Sequence, residues 1–325
     1  MTDWSARRVL ITGGLGCVGS SLAHRLVAAG ADVTLLDARL PHLGSNPANL
    51  EGIREDVTVV EGDVRDADLV ARHVDGADLV YHCAAQNDRG YARDHPGEDV
   101  DINAKGTLHV LEAAAARETS PRVVFTSSLA VYGHVSDPPV DESTPVDPMD
   151  LYGAHKVASE QYCDIYAALD DVPTTVARLA NVYGPRAAVD RGYGVQAIFP
   201  AQAVRDETIT VFEPGDAVRD LVHVDNVVAA LELLGSDDRA LGETYVLGTG
   251  DPTTLLELAE TSVEVAGTGE VELVPWPEEW ATLDRGDVYT DPAKLRDLGW
   301  EPTVGLREGL RETVEFYRDN REVYL

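Results

Sequence analysis

The chain has 325 residues, 44% of them hydrophobic, with 26 Lys and Arg against 57 Asp and Glu and a net charge of −31. That length buries a large core and suggests about two domains. The charge excludes nucleic-acid and anionic-membrane binding, which need a basic footprint; no apolar run is long enough to cross a bilayer, and no signal-peptide core opens the sequence.

Arg8-Val9-Leu10-Ile11-Thr12 reads as a short buried strand. Gly13-Gly14-Leu15-Gly16-Cys17-Val18-Gly19 follows, then an apolar-periodic helix through Leu22, Leu26 and Val27, closed by Gly30. Residues 32–37 read as a second strand ending in Asp37. Glycines between a strand and a helix, with an acid at the end of the next strand, form a dinucleotide-binding context. The glycines let backbone approach a pyrophosphate, and the helix start favours its charge. Further strands are expected at 57–64, 79–86 and 123–128, with a long helix from Ile102 to about Ala116. Such alternation implies an α/β fold: a doubly wound, Rossmann-like parallel sheet with right-handed crossovers. Ligands should gather at the strand C-terminal ends, where the Gly loop, Gln86 and Ser128 lie.

Residues 131–151 are rich in Pro and Asp and read as a surface loop. A helix from Tyr152 to about Leu169 comes next. Tyr152 and Lys156 share one face of it, one turn apart. A Lys beside a phenol favours the phenolate, so a lowered pKa and a proton-transfer role are expected for Tyr152. A sixth strand is expected at 174–179. After Asn181-Val182-Tyr183-Gly184-Pro185-Arg186 the rhythm loosens, and residues 306–317 read as a closing amphipathic helix. The expected division is a dinucleotide-binding domain over 1–180. A smaller, mainly substrate-binding domain covers 181–325, with some chain returning to the first core. Cys17, Cys83 and Cys163 lack disulfide or metal spacing, so they read as core residues in a reducing compartment, with no metal site. Asp and Glu are spread evenly, as in cytoplasmic proteins of salt-accumulating halophiles, which this composition resembles.

A set of motifs in order makes a specific match. They are Thr12-Gly13-x-x-Gly16-x-x-Gly19, Asp63-Val64, His82-x-Ala84-Ala85, Asn103-x-x-Gly106-Thr107 and Ser127-Ser128 with Val131-Tyr132-Gly133. Then come Tyr152-x-x-x-Lys156, Arg178-x-x-Asn181-x-Tyr183-Gly184-Pro185 and Arg219-Asp220-x-x-His223-Val224-Asp225. Together they resemble the extended short-chain dehydrogenase/reductases, and within them the NAD-dependent nucleotide-sugar epimerase/dehydratase family. The likeness runs from Val9 to Tyr317.

The resemblance implies NAD held by Gly13, Gly16, Cys17, Val18, Gly19, Asp37, Asp63, Val64, Ala84, Ala85, Gln86, Asn103, Tyr152 and Lys156. Asp37 would take the adenosine ribose and repel a 2′-phosphate. It implies Tyr152 as acid/base, Lys156 on the nicotinamide ribose, and Ser128 on the reacting sugar hydroxyl. Gln86, Asn181, Phe212 and Arg219 would meet a nucleotide-diphosphate sugar. Arg285 stands where the family often has another phosphate contact. His82, His155 and His223 read as structural. The implied reaction is epimerisation, usually at C4, through a transient keto-sugar, in a homodimer joined by the helices near 103–116 and 152–169. Alternatives are a 4,6-dehydratase or decarboxylase, a net dehydrogenase, and a non-enzymatic NAD-binding regulator. Leu129 and Ala130 follow Ser128 where dehydratases carry carboxylates, which favours the epimerase.

Overall fold

The computed structural model describes residues 3–40, 43–189, 194–276 and 286–325. Its centre is a parallel sheet of β1 (Arg8–Thr12), β2 (Asp32–Asp37), β3 (Val57–Glu61), β4 (Leu79–His82), β5 (Arg122–Ser128), β6 (Thr174–Leu179) and β10 (Glu243–Leu247). The order is β3-β2-β1-β4-β5-β6-β10. These strands are apolar on both sides, because helices cover both faces. Val9 and Ile11 point toward α1 (Cys17–Ala28) and α8 (Val224–Ser236), packing with Leu22, Leu26, Val227 and Leu231. Leu10 points the other way. It joins Val70 and Val74 of α2 (Ala67–Val74), Val110 and Leu111 of α5 (Gly106–Ala115) and Cys163 of α6 (Leu151–Asp170).

Two strands stop earlier than expected, for one reason. β1 ends at Thr12, opposite His82, and β2 ends at Asp37, opposite Glu61. Beyond Asp37 the edge strand β3 has no neighbour, and beyond Thr12 β4 has β5 on one side only, so residues 62–64 and 83–88 leave the sheet as irregular backbone. The helix expected from Ile102 instead opens with a π-helical turn, Asp101–Lys105, before α5. There the Asn103 carbonyl accepts the Thr107 and Ser159 hydroxyls, at 2.7 and 3.0 Å. Short helices α3 (Arg89–Asp94) and α4 (Pro96–Val100) lead into that turn.

A second cluster of apolar residues forms away from the large sheet. β7 (Asn181–Tyr183), β9 (Val218–His223) and β11 (Pro252–Thr254) make one small sheet; β8 (Thr208–Phe212) and β12 (Glu270–Val274) make another. With α7 (Val195–Val204), α9 (Leu255–Ala266) and α11 (Leu306–Asp319) they bury Phe199, Ile209, Leu221, Leu258, Leu310 and Tyr317. Between this lobe and the C-terminal ends of the parallel strands lies an open trough. Among the described residues no helix is long and apolar enough to cross a membrane.

Candidate active site

The trough has two connected parts, which share Gly13, Gly16, Leu43, Cys83 and Ala85. The smaller, of about 100 Å³, lies across the ends of β2 and β3 and is walled by Asp37, Asp63, Val64, Ala84 and Ala85. The larger, of about 610 Å³, runs over β5 and β6. Its wall includes Cys17, Val18, Gly19, Ser128, Tyr152, Lys156, Asn181 and Arg219.

At the junction the backbone has to be bare. Gly13 has φ +67°, and a Cβ on it would lie 2.8 Å from the Ala84 backbone. The start of α1 carries no side-chain cap. Its first-turn N–H groups therefore face the cavity without an internal partner, which suits an anion. Asp37 is only 7% exposed. Its carboxylate accepts the Leu15 N–H at 2.9 Å, and the Arg39 N–H and Ser45 hydroxyl at 2.8 Å each. These bonds brace the Gly loop and aim the acid at the smaller cavity. Arg39, which could have met a 2′-phosphate, is turned onto Glu61 at 3.3 Å. An adenosine ribose and pyrophosphate fit this cradle.

The reacting groups sit at the far end. Asp150 caps α6 by accepting the Gly153 N–H at 2.7 Å, which fixes the first turn and Tyr152 with it. Tyr152 is 9% exposed and Lys156 is 1% exposed. The Lys156 ammonium donates to the Thr126 carbonyl at 2.9 Å and lies 5.7 Å from the centre of the Tyr152 ring. Burial pushes the Tyr152 phenol up to about 12; a hydrogen bond with Ser128 and the positive charge of Arg89 oppose it. Burial likewise draws the Lys156 ammonium down to about 8. The expectation of a phenol already acidified by Lys156 is thus corrected. Desolvation dominates here, and the ammonium is engaged by a backbone carbonyl.

Three expected contacts are not brought to the trough. Gln86 is fully buried: its amide donates to the Asp88 carbonyl at 2.8 Å and to Asp99 at 2.7 Å, and it accepts the Asp88 N–H. Asn103 is bound to Gln86 backbone and to Asp99. Both side chains clamp the loop after β4 rather than line the cavity. Phe212 packs against Trp276 with the rings tilted by 35° and their centres 4.7 Å apart. Arg285 lies outside the described residues. Conversely, Asn87, Arg89 and Thr126 line the larger cavity and were not singled out. The available signal was position: the first two follow a parallel strand's C-terminal end.

The histidines hold structure. His82 lies between the Thr12 and Thr107 hydroxyls, at 2.7 and 3.1 Å, and burial draws its pKa down to about 3. His155 bonds the buried Asp99 at 2.5 Å. His223 lies near Asp225 and Glu312, a set that by composition could hold a metal. However, its Nδ1 accepts the Asp225 N–H at 3.3 Å, so the ring proton sits on Nε2, 3.6 Å from Glu312.

A model of the NAD dependent epimerase/dehydratase family matches residues 9–248. This chain belongs to that family. As a family member it is an NAD-dependent enzyme of the extended short-chain dehydrogenase/reductase type. It is 34% identical to UDP-glucose 4-epimerase of Mycolicibacterium smegmatis, over 97% of this chain and 100% of that one. To dTDP-glucose 4,6-dehydratase of Streptomyces niveus it is 33% identical, over 97% and 94% of the two chains. Among solved structures, UDP-glucose 4-epimerase with UDP-glucose from Thermotoga maritima matches with a TM-score of 0.88 and 31% identity. That match covers 97% of this family member and 99% of the other chain.

Proposed function

We propose that the protein inverts a hydroxyl-bearing carbon, C4 by family analogy, of a nucleotide-diphosphate sugar and releases an epimer. Gly13, Gly16, Cys17, Val18, Gly19, Asp37, Asp63, Val64, Ala84 and Ala85 would hold NAD, with Lys156 beneath its nicotinamide ribose. NAD supplies the hydride chemistry when bound. Ser128 would accept or donate at the reacting hydroxyl and Tyr152 would take its proton, giving a keto-sugar. The same phenol would return the proton after the sugar turns over in the cavity. Asn181 and Arg219 would hold the diphosphate, for which an Arg fork is well shaped.

The observation that carries epimerase over dehydratase is the scarcity of acids. Among the described residues lining the larger cavity, Asp88 is the one carboxylate, and its Oδ1 caps α3 by accepting the Gly90 and Tyr91 N–H groups. Leu129 and Ala130 are buried. Asp141 is taken up by Ser143 and Thr144, and Glu142 accepts the Val246 N–H at 2.7 Å. Elimination of water needs a further proton donor, and among the described residues of this wall Asp88, with one oxygen held as the cap of α3, is the one carboxylate that could substitute. The test is product mass with NAD⁺ and a panel of UDP-, dTDP-, GDP- and CDP-sugars. Unchanged mass supports epimerisation; loss of water or carbon dioxide overturns it.

A homodimer through α5 and α6 is part of this reading. Ile165 and Leu169, one turn apart on α6, are 49% and 77% exposed, an apolar strip that a second copy would cover. The charge pattern supports a cytoplasmic enzyme of a salt-rich cell.

A further inference from the structure

Arg89 has no place in the chemistry described so far, yet it stands in the same cavity as Ser128, Tyr152 and Arg219. Its Nε is tied to Asp150, the cap of α6, at 3.2 Å, which holds the guanidinium against the turn that carries Tyr152. The side chain is still 46% exposed. Among the described residues its polar partner is Asp150, through Nε, so the two terminal nitrogens remain available as a fork. The neighbouring wall is Asn87, Gly90, Ala130 and Gly133, together with Asp88, whose Oδ1 is engaged as the cap of α3.

A neutral hexose gives such a fork only hydroxyls. A carboxylate fits it in a bidentate, charge-assisted pair. In a pyranose handled at C4 by Tyr152, the neighbouring ring carbon C5 carries C6, within a few bond lengths of the reacting hydroxyl. The geometry points to a substrate whose sugar bears a carboxylate, a nucleotide-linked uronate, with Arg89 as the residue that selects it. This inference rests on the nucleotide-sugar reading and names its substrate class. Arg219 remains the diphosphate group, so the two arginines divide the anionic ends of one ligand between them.

The experiment measures binding, so that it does not depend on what product forms. NAD⁺-loaded Tyr152→Phe protein is titrated by calorimetry, at one fixed KCl concentration, with UDP-glucose, UDP-glucuronate, dTDP-glucose and dTDP-glucuronate. In at least one nucleotide pair the uronate should bind about 10- to 100-fold more tightly than its neutral counterpart. Adding Arg89→Gln should bring that ratio to about one. Arg89→Lys, which keeps the charge without the fork, should keep part of it. NAD⁺ affinity of each variant reports that it is folded. The inference is overturned if neither uronate binds more tightly than its neutral partner. It is equally overturned if Arg89→Gln weakens both members of a pair alike, which would make Arg89 a diphosphate ligand. Failure of the epimerase reading appears separately, as a change of product mass with the wild-type enzyme.

Discussion

Tyr152 and Lys156 lie one turn apart, but burial acts on them in opposite senses. The phenol is pushed up and the ammonium down, so at neutral pH the phenol is neutral while the lysine still carries a charge that its burial disfavours. Tyr152→Phe should keep the fold and NAD⁺ binding and lower turnover by about 10²–10⁴-fold, since only the proton-transfer hydroxyl is lost. Lys156→Met should also lose activity, yet it should be more stable than wild type at pH 7. A shift from 10.5 to about 8 corresponds to roughly 3 kcal/mol, and losing the bond to Thr126 takes back about 1 kcal/mol. Below pH 8 the lysine is charged in both folded and unfolded chains and its burial cost is felt in full. Between pH 8 and 10.5 the folded chain has released a proton that the unfolded chain still holds, so wild-type stability gains with rising pH. Urea melts of the pair should therefore differ by roughly 2 kcal/mol in favour of Lys156→Met at pH 7, and the order should reverse as pH nears 10.5, where only the lost bond to Thr126 remains.

Among the elements, the short turn after β5 controls how α6 approaches the sheet. Gly133 ends it with φ +63°, and a Cβ there would lie 1.9 Å from the Asp147 carbonyl oxygen. Gly133→Ala should cost about 1–3 kcal/mol from backbone strain alone, read as a lower urea midpoint. It should also lower turnover, because Gly133 lines the cavity. Local signals of this kind were legible in the sequence. The Gly loop, the acid ending β2 and Tyr-x-x-x-Lys each depend on a few adjacent residues, and the structure brings them to one trough. Residues whose orientation is set from a distance were not. Gln86 stands at a strand end where a ligand contact is reasonable, but Asp99 and the Asp88 backbone turn its amide inward. Arg89 shows the reverse: it opens α3, and among the described residues Asp150, the cap of α6, holds it over the cavity. Strand ends were over-extended because the apolar runs of β3 and β4 pass the points where β2 and β1 stop pairing with them, and those points are not written in the strands themselves.

For the whole molecule, charge and topology set the terms. At a net charge of −31 the folded chain repels itself, and molar salt shortens the Debye length to about 3 Å. The melting temperature should rise by on the order of 10 °C between 0.1 and 2 M KCl, which corresponds to a few kcal/mol; a flat profile removes the halophile reading. Light scattering in that salt should give a dimer, and Leu169→Arg should give monomers. The parallel sheet has a further consequence for how the protein is made. Its last strand, β10, lies outside β6 and comes from residues 243–247, after the chain has built much of the other lobe. α8, which covers the Val124 and Ala177 side of the sheet, is also late. A ribosome adding about 5–20 residues per second leaves that face and the β6 edge bare for several seconds. Residues 1–180 expressed alone should aggregate rather than fold, and co-expression of residues 181–325 should rescue little of it. During synthesis the emerging chain is thus a client for whatever shields apolar surface in its cell, until the returning strand closes the edge.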